Sequence, residues 1–96
     1  METLDKHYVY ILECCDGSYY TGYTNNLEKR IQKHQSGKGA KYTRGRTPVQ
    51  LLFSEEYLTK SEALQEEYRI KQLTREQKEK YVLQKKIHGK KGENDL

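Results

Sequence analysis

Two tyrosine-containing tripeptides stand ten residues apart near the start of the chain, Tyr8-Val9-Tyr10 and Tyr20-Thr21-Gly22. Arg30 follows Tyr20 by another ten residues, and His34 lies one helical turn beyond Arg30. An arginine can bind a phosphate through two parallel hydrogen bonds, a histidine can move protons near neutral pH, and a tyrosine hydroxyl can donate or accept one. Each residue alone fits packing or a solvated surface. Together, at this spacing and with a carboxylate, they favour a site that hydrolyses a phosphodiester.

Glu67 is the candidate carboxylate. On a helical wheel it falls among residues that should face the sheet, namely Ala63, Leu64 and Ile70. A carboxylate on a buried arc is costly unless it is paired or binds a metal ion. Two interpretations therefore stand, a metal ligand or a structural ion pair, for instance with Arg30. Glu66 lies nearer the edge of the arc, and we expect it to be less buried than Glu67.

Charge is distributed unevenly along a chain whose net charge is +4. Residues 26–48 carry seven Lys or Arg against one acid, residues 54–67 carry five Glu against one Lys, and residues 69–91 are basic again. A basic block beside an acidic one fits a polyanionic ligand and a carboxylate-bound metal ion, although solvated helix faces also explain the last block. The candidates for binding a nucleic acid are Lys29, Lys38, Lys41, Tyr42, Arg44 and Arg46. Among them, Tyr42 can stack on an exposed base.

The size and composition predict one small domain. The chain has 96 residues, of which 33% are hydrophobic and 33% charged, so its core must be compact. Cys14 and Cys15 are adjacent, would point to opposite faces of a strand, and are expected to be reduced. No segment approaches the roughly 18 apolar residues of a membrane span, and the N-terminus lacks the apolar core of a signal peptide. These features predict a soluble, cytoplasmic protein.

The sequence pattern predicts three strands and three helices. Asn25, Thr59 and Thr74 are the expected N-caps of the helices, since each is followed three residues later by Glu or Gln. The expected strands span about 7–14, 18–23 and 49–57, and the helices about 26–35, 60–73 and 75–86, with a glycine-rich loop at 36–48. The domain is expected to cover residues 1–86, followed by a flexible polar tail at 87–96.

The first two strands form a predicted hairpin whose loop length decides where the tyrosines lie. A two-residue loop would put Tyr10 and Tyr20 on opposite faces. A three-residue loop, with Gly17 in the left-handed conformation, pairs Leu12 with Tyr20 and Tyr10 with Gly22, and both tyrosines then share one face. We expect the second register because it makes one site, and because a glycine beside Tyr10 leaves room for its ring or for a phosphate.

This arrangement resembles the GIY-YIG nuclease domain. The resemblance rests on the two tripeptides, Arg30, His34 and the segment 61–71 around Glu67, and it extends over about residues 7–82. It is strongest to a small stand-alone bacterial branch of largely uncharacterised proteins, which is in turn similar to the catalytic domain of a structure-specific endonuclease that cuts branched DNA. The resemblance implies an α+β fold, with a three-stranded antiparallel sheet flanked by about three helices.

The resemblance also implies a role for each site residue. Tyr10 would be the general base toward the attacking water, with His34 assisting, and Arg30 would hold the scissile phosphate. Glu67 would bind one divalent ion, Mg²⁺ or Mn²⁺, and Tyr20 would orient phosphate or water. A free tyrosine has a pKa near 10, and Arg30 with a bound cation is expected to favour its phenolate. The implied substrate is DNA, with branched and single-stranded forms included. We expect the protein to act as a monomer in repair or recombination, with a protein partner for targeting.

The chain departs from the family pattern at several positions. Tyr8 stands where the namesake glycine would be, Thr21 replaces isoleucine, and Tyr23 takes a position where some relatives carry lysine. The asparagine that follows the second helix in some relatives has no clear match. A nucleic-acid-binding module with weak or no catalysis is therefore the alternative function. A protein-interaction domain, whose tyrosines only form the core, is the third.

Overall fold

The computed structural model describes residues 6–89, which form three strands, three α-helices and a short 3₁₀ turn. The elements in chain order are β1 (His7–Glu13), β2 (Tyr19–Thr24), α1 (Leu27–Gln35), the 3₁₀ turn (Lys41–Thr43), β3 (Gln50–Tyr57), α2 (Lys60–Lys71) and α3 (Arg75–Gly89). The sheet is antiparallel with the order β2-β1-β3. This is the expected α+β fold. The last helix continues beyond the expected end near residue 86, and positions 90–96 of the expected tail lie outside the described residues.

The central strand β1 is covered on both faces. Val9 and Ile11 pack on one side against α2 and α3, in a cluster whose other buried members are Ala63, Ile70 and Val82. Tyr10 and Leu12 point to the other side, where they pack with Cys14, Val49, Leu27 and Ile31. The four residues 9–12 are all 0% exposed, which explains why this strand reads as a continuous apolar and aromatic run. Cys14 is buried and Cys15 exposed, and both are free thiols.

The hairpin has the three-residue register that the sequence favoured. Leu12 pairs with Tyr20 and Tyr10 with Gly22. Gly17 has a φ of 85°, and its N–H donates to the Cys14 carbonyl at 2.9 Å, which closes the loop. A Cβ placed on Gly22 would lie 2.5 Å from the Tyr10 hydroxyl oxygen. The absence of a side chain at this position is therefore what makes room for the Tyr10 phenol.

Two of the three expected helix caps are confirmed and one is wrong. The Thr59 hydroxyl accepts from the Glu62 N–H at 3.1 Å, and Thr74 and Gln77 form a reciprocal pair at 3.1 and 2.9 Å. The first helix is capped by Asn26 rather than Asn25: its side chain accepts from the Lys29 N–H at 3.2 Å. Asn25 has the same side chain as Asn26. The helix nevertheless begins one residue later than expected, because the Thr24 hydroxyl at the end of β2 accepts from the Asn26 N–H at 3.1 Å.

Helix α2 is turned differently from the helical-wheel expectation. Ala63 and Ile70 are buried against the sheet, whereas Leu64 is 40% exposed. Glu66 takes part of the covered side instead, because α3 packs there and supplies the Tyr81 hydroxyl as its partner. None of the helices in residues 6–89 is both long enough and apolar enough to cross a membrane.

Candidate active site

The Tyr10 hydroxyl is the point at which β1 and α1 meet. It lies 2.9 Å from His34 Nε2, and Arg30 Nε donates to it across 3.4 Å. Arg30 and His34 are four residues apart on α1, so their side chains lie on one face of that helix, as expected. Tyr10 and His34 are both 0% exposed. Three of the five residues singled out as catalytic candidates thus converge on one oxygen atom.

A chain of hydrogen bonds orients the His34 imidazole. The Thr43 hydroxyl lies 2.8 Å from His34 Nδ1 and donates its own hydrogen to the Ala40 carbonyl at 3.0 Å. With that hydrogen directed at Ala40, the arrangement favours the tautomer in which Nδ1 carries the proton shared with Thr43 and Nε2 accepts from the Tyr10 hydroxyl. A Cβ on Gly39 would collide with the imidazole, so a glycine at this position lets the loop approach the ring. Thr43 was not among the residues that the sequence singled out, and no spacing signal connects it to His34.

Burial controls the protonation of the two central groups. Burial raises the pKa of Tyr10 to about 12, with the Arg30 hydrogen bond acting in the opposite direction and the charges of Tyr20 and Glu67 adding to the rise. Burial, followed by the charge of Arg30, lowers the pKa of His34 to about 4. The expected effect of Arg30 on the Tyr10 phenolate is therefore present but smaller than the effect of desolvation. Near neutral pH the protein alone holds a neutral phenol against a neutral imidazole.

Tyr20 completes an aromatic cluster around the same point. Its ring centroid lies 6.3 Å from that of Tyr10 and 5.3 Å from that of His34. Tyr20 also contacts Tyr42, with 5.9 Å between the two ring centroids. The hairpin register explains this position, because a one-residue shift would turn Tyr20 to the opposite face of the sheet.

Glu67 lies on α2 with its side chain 16% exposed and pairs with Lys71 Nζ at 3.0 Å. The ion pair that the sequence suggested with Arg30 is thus replaced by one within α2, between residues four apart. The charge of Glu67 nevertheless contributes to the raised pKa of Tyr10. Glu66 was expected to be less buried than Glu67, but the two carboxylates are covered almost equally, with side chains 17% and 16% exposed. The oxygens of Glu66 are engaged by Tyr81 and Arg69.

The donor set suits a loosely held divalent ion. Within residues 6–89, no group of three or more His, Cys, Asp and Glu side chains converges as a metal cage. Mg²⁺ is commonly held by one or two carboxylates, keeps several water ligands and takes substrate phosphate oxygens. A single, largely covered carboxylate such as Glu67 therefore fits an ion of this kind, provided that Lys71 gives way.

The candidate nucleic-acid contacts divide into two groups. Lys29, Lys38, Lys41 and Arg44 are exposed and belong to α1 or the following loop. Arg46 is already engaged: Nε donates to Asp16 Oδ2 at 3.1 Å, Nη1 donates to the Tyr42 carbonyl at 2.7 Å, and Cζ lies 4.3 Å from the centroid of the Tyr42 ring. Its guanidinium therefore joins the loop to the β1–β2 turn, which the sequence did not suggest.

The sheet with its paired tyrosines, and the arginine and histidine that α1 brings to them, are the features on which the resemblance to the GIY-YIG domain rests. The chain belongs to that family, whose model matches residues 6–82.

Relatives share most of their length with this chain. The UPF0213 protein OB0043 of Oceanobacillus iheyensis is 63% identical over 78 residues, which cover 81% of this chain and 91% of the relative. The solution NMR structure of the UPF0213 protein BH0048 from Bacillus halodurans is 56% identical, covers 83% of this chain and 85% of that one, and has a TM-score of 0.57. The solution NMR structure of EF2693 from E. faecalis is 48% identical, covers 92% of both chains, and has a TM-score of 0.60. These names state no activity, and the assignment of a reaction rests on the site itself.

Proposed function

We propose that the protein is a metal-dependent endonuclease that hydrolyses DNA phosphodiester bonds. The observation that carries the proposal is that His34 Nε2 and Arg30 Nε both contact the Tyr10 hydroxyl. The charge of Glu67 also acts on the pKa of that hydroxyl. A phenol with an acceptor on one side and a guanidinium on the other can pass on a proton beside a group that binds phosphate. The arrangement is more specific than packing requires, because a buried tyrosine needs only one hydrogen-bond partner.

Proton transfer in this proposal runs from water to Tyr10 and from Tyr10 to His34. The phenol gives its proton to Nε2 while its oxygen takes one from the attacking water, so the hydroxyl is restored and His34 becomes imidazolium as the new phosphorus–oxygen bond forms. The bond between phosphorus and the leaving oxygen breaks in the same step, the leaving oxygen takes a proton from solvent water, and His34 later returns its proton to solvent. Thr43 holds the imidazole in the tautomer that can accept, and this role depends on the 2.8 Å contact to Nδ1. The relay avoids a free phenolate, which a pKa of about 12 would make scarce at neutral pH, and it leaves the proton on His34 only while the reaction proceeds.

Charge on the phosphate is balanced from two sides. Arg30 has further N–H groups beyond the one on Tyr10, and these would bind the scissile phosphate as its charge grows. A divalent ion on Glu67 would supply Lewis-acid stabilisation of the leaving oxygen. Tyr20 would orient the phosphate or the water, and the exposed cations Lys29, Lys38, Lys41 and Arg44 would hold the DNA backbone.

Such contacts address the backbone rather than the bases, so targeting would depend on the structure of the DNA or on a protein partner. Action as a monomer in the cytoplasm, in repair or recombination, is part of the same proposal.

The first experiment is cleavage of labelled single-stranded, duplex, flap and four-way-junction DNA with Mg²⁺ or Mn²⁺. Glu67→Gln should abolish cleavage and leave DNA binding within about three-fold, because the change removes a charge and not a phosphate contact. Tyr68→Phe, on the outer face of α2 where Tyr68 is 67% exposed, is the matched control and should cut normally. Equal cleavage by wild type and Glu67→Gln would contradict the proposal. Binding without any cleavage by the folded wild type would favour the binding module instead.

A further inference from the structure

Three side chains form a continuous stack that leads from the candidate active site to the surface. We call it the aromatic ladder: Tyr20, Tyr42 and Arg46. The Tyr20 and Tyr42 ring centroids lie 5.9 Å apart with an angle of 30° between the planes, and the guanidinium of Arg46 covers the Tyr42 ring at 4.3 Å. At its inner end Tyr20 contacts both His34 and Tyr10. The ladder therefore connects the point of proposed chemistry with exposed planar groups.

The outer end of the ladder is fixed in place and open to solvent. Asp16 and the Tyr42 carbonyl both accept from Arg46, and the Cys15 N–H donates to the Arg46 carbonyl at 2.9 Å. Tyr42 is nevertheless 41% exposed, and the Arg46 side chain is 38% exposed. A planar surface that is rigid before binding loses little side-chain entropy when a ligand stacks on it.

The charge around the ladder selects an anionic ligand. The sequence has no acidic residue between Glu28 and Glu55. Asp16, which reaches the ladder from the hairpin turn, is neutralised by its pairing with Arg46. Lys41 and Arg44 flank Tyr42 along the chain, and both are exposed. Planar groups beside exposed cations match a nucleobase joined to a phosphate.

We propose that Tyr42 and Arg46 form a stacking site for one unpaired nucleobase next to the scissile phosphate. This inference rests on the proposed function and specifies its substrate class: DNA that presents an unpaired nucleotide at the cut, as single strands, flaps and junctions do. Bases within a continuous duplex are covered on both faces by their neighbours and are unable to reach the ladder without unstacking. Arg46 accordingly recognises a base by stacking its guanidinium plane on it, and does not bind a phosphate through its charge.

The test uses DNA that carries a single 2-aminopurine, either unpaired in a single strand or a bulge or paired within a duplex, bound to the Glu67→Gln protein without metal. We expect the fluorescence of 2-aminopurine to fall on binding when the base is unpaired, in a single strand or as a bulge, because it stacks on the outer end of the ladder, where the Arg46 guanidinium lies over the Tyr42 ring. Tyr42→Leu should remove this quenching and weaken binding of such DNA by roughly ten-fold, the effect of one base–aromatic stack. Binding of fully paired duplex should be unchanged.

Three further variants separate stacking from structural damage. Tyr42→Phe keeps the ring and should keep the quenching, whereas Arg46→Gln removes the guanidinium plane and should lose it in part. Tyr68→Leu makes the Tyr42→Leu change at an exposed tyrosine on α2 and should alter neither signal. Thermal unfolding of each protein shows whether its fold is intact. If Tyr42→Leu folds poorly, the comparison of quenching in Tyr42→Phe and Arg46→Gln decides whether the base stacks on the ladder.

Some outcomes would overturn the inference. One is unchanged fluorescence when DNA with an unpaired 2-aminopurine binds the Glu67→Gln protein that still carries Tyr42. An equal loss of affinity for paired and unpaired DNA in Tyr42→Leu is another, since it would mean that the ladder only packs the loop. Failure of the proposed function has a different signature: quenching and its loss in Tyr42→Leu would persist, while wild type with Mg²⁺ or Mn²⁺ would cut none of the DNA substrates.

Discussion

Tyr10 and Tyr81 lie on opposite sides of the same sheet, and their hydroxyls have different partners. Tyr81 donates to the carboxylate of Glu66 at 2.7 Å, so burial and that bond both raise its pKa above the usual range. Tyr10 contacts the neutral imidazole of His34 and the guanidinium of Arg30. An anionic acceptor keeps a phenolic proton in place, whereas a neutral base beside a cation allows it to leave. The comparison suggests why one tyrosine serves structure and the other is a candidate for catalysis.

Removing the two hydroxyls in turn is the strongest way to test this contrast. Tyr10→Phe should lower the rate of DNA cleavage by about 10²- to 10⁴-fold, because the positioned proton acceptor is lost. Tyr81→Phe should leave that rate within about two-fold and reduce the free energy of unfolding by about 1.5–3 kcal/mol, the value of one hydrogen bond to a charged group. Single-turnover cleavage and urea denaturation of both proteins check the result. Similar rates in the two variants would remove the distinction between the tyrosines.

The tautomer of His34 offers the next largest effect. Thr43→Val removes the hydroxyl that accepts from Nδ1, so the imidazole is free to turn its protonated nitrogen toward Tyr10. We expect cleavage to slow by roughly 10- to 100-fold, as is typical when a partner that orients a functional histidine is lost. Thr43→Ser keeps the hydroxyl and should retain most activity. An active Thr43→Val protein would show that the tautomer has no part in the reaction.

The buried histidine should also make stability depend on pH. Folding lowers the pKa of His34 from 6.5 to about 4. Between these values the unfolded chain binds more protons than the folded one, so stability is lost as the pH falls. From pH 6.5 to pH 5 we expect a loss on the order of 1–2 kcal/mol. The loss should be absent from His34→Gln in urea denaturation at the two pH values. An equally large loss in that variant would assign the effect to other groups.

The two neighbouring carboxylates provide the finest comparison. Glu67 pairs with Lys71 and Glu66 with Arg69, but Glu66 also accepts from Tyr81. Lys71→Met should raise the affinity for Mn²⁺ by about two- to five-fold, since a partly exposed ion pair is worth up to about 1 kcal/mol and the ion no longer competes with Lys71. Arg69→Met should change it little. Mn²⁺ titration followed by electron paramagnetic resonance measures both, and an equal gain in the two variants would contradict the choice of Glu67.

Much of the fold followed from local chemistry in the sequence. The hairpin register was predictable because Gly17 permits a three-residue loop, and the caps at Thr59 and Thr74 were predictable because their partners lie three residues away. Asn25 and Asn26 were indistinguishable, since the choice between them depends on a hydroxyl at the end of β2. Local rules fail where a contact between distant segments makes the decision.

The candidate site was predictable as a set of residues and less so as a set of interactions. Spacing placed Arg30 and His34 on one helix face, and the register brought Tyr20 to Tyr10. The engagement of Arg46 by Asp16, the support of His34 by Thr43 and the rise in the pKa of Tyr10 depend on tertiary contacts and burial. No periodicity in the chain encodes these.

The position of Tyr10 on the central strand has a consequence for the motions of the site. The amides of β1 are bonded to strands on both sides, so they should exchange with solvent hydrogen only when the whole domain unfolds. Thr43 belongs to a loop outside the sheet and should exchange through cheaper local openings. Each opening of the loop would release the imidazole of His34 from its tautomeric control without moving the phenol of Tyr10. Exchange rates of the loop amides thus measure how long the proton relay stays assembled.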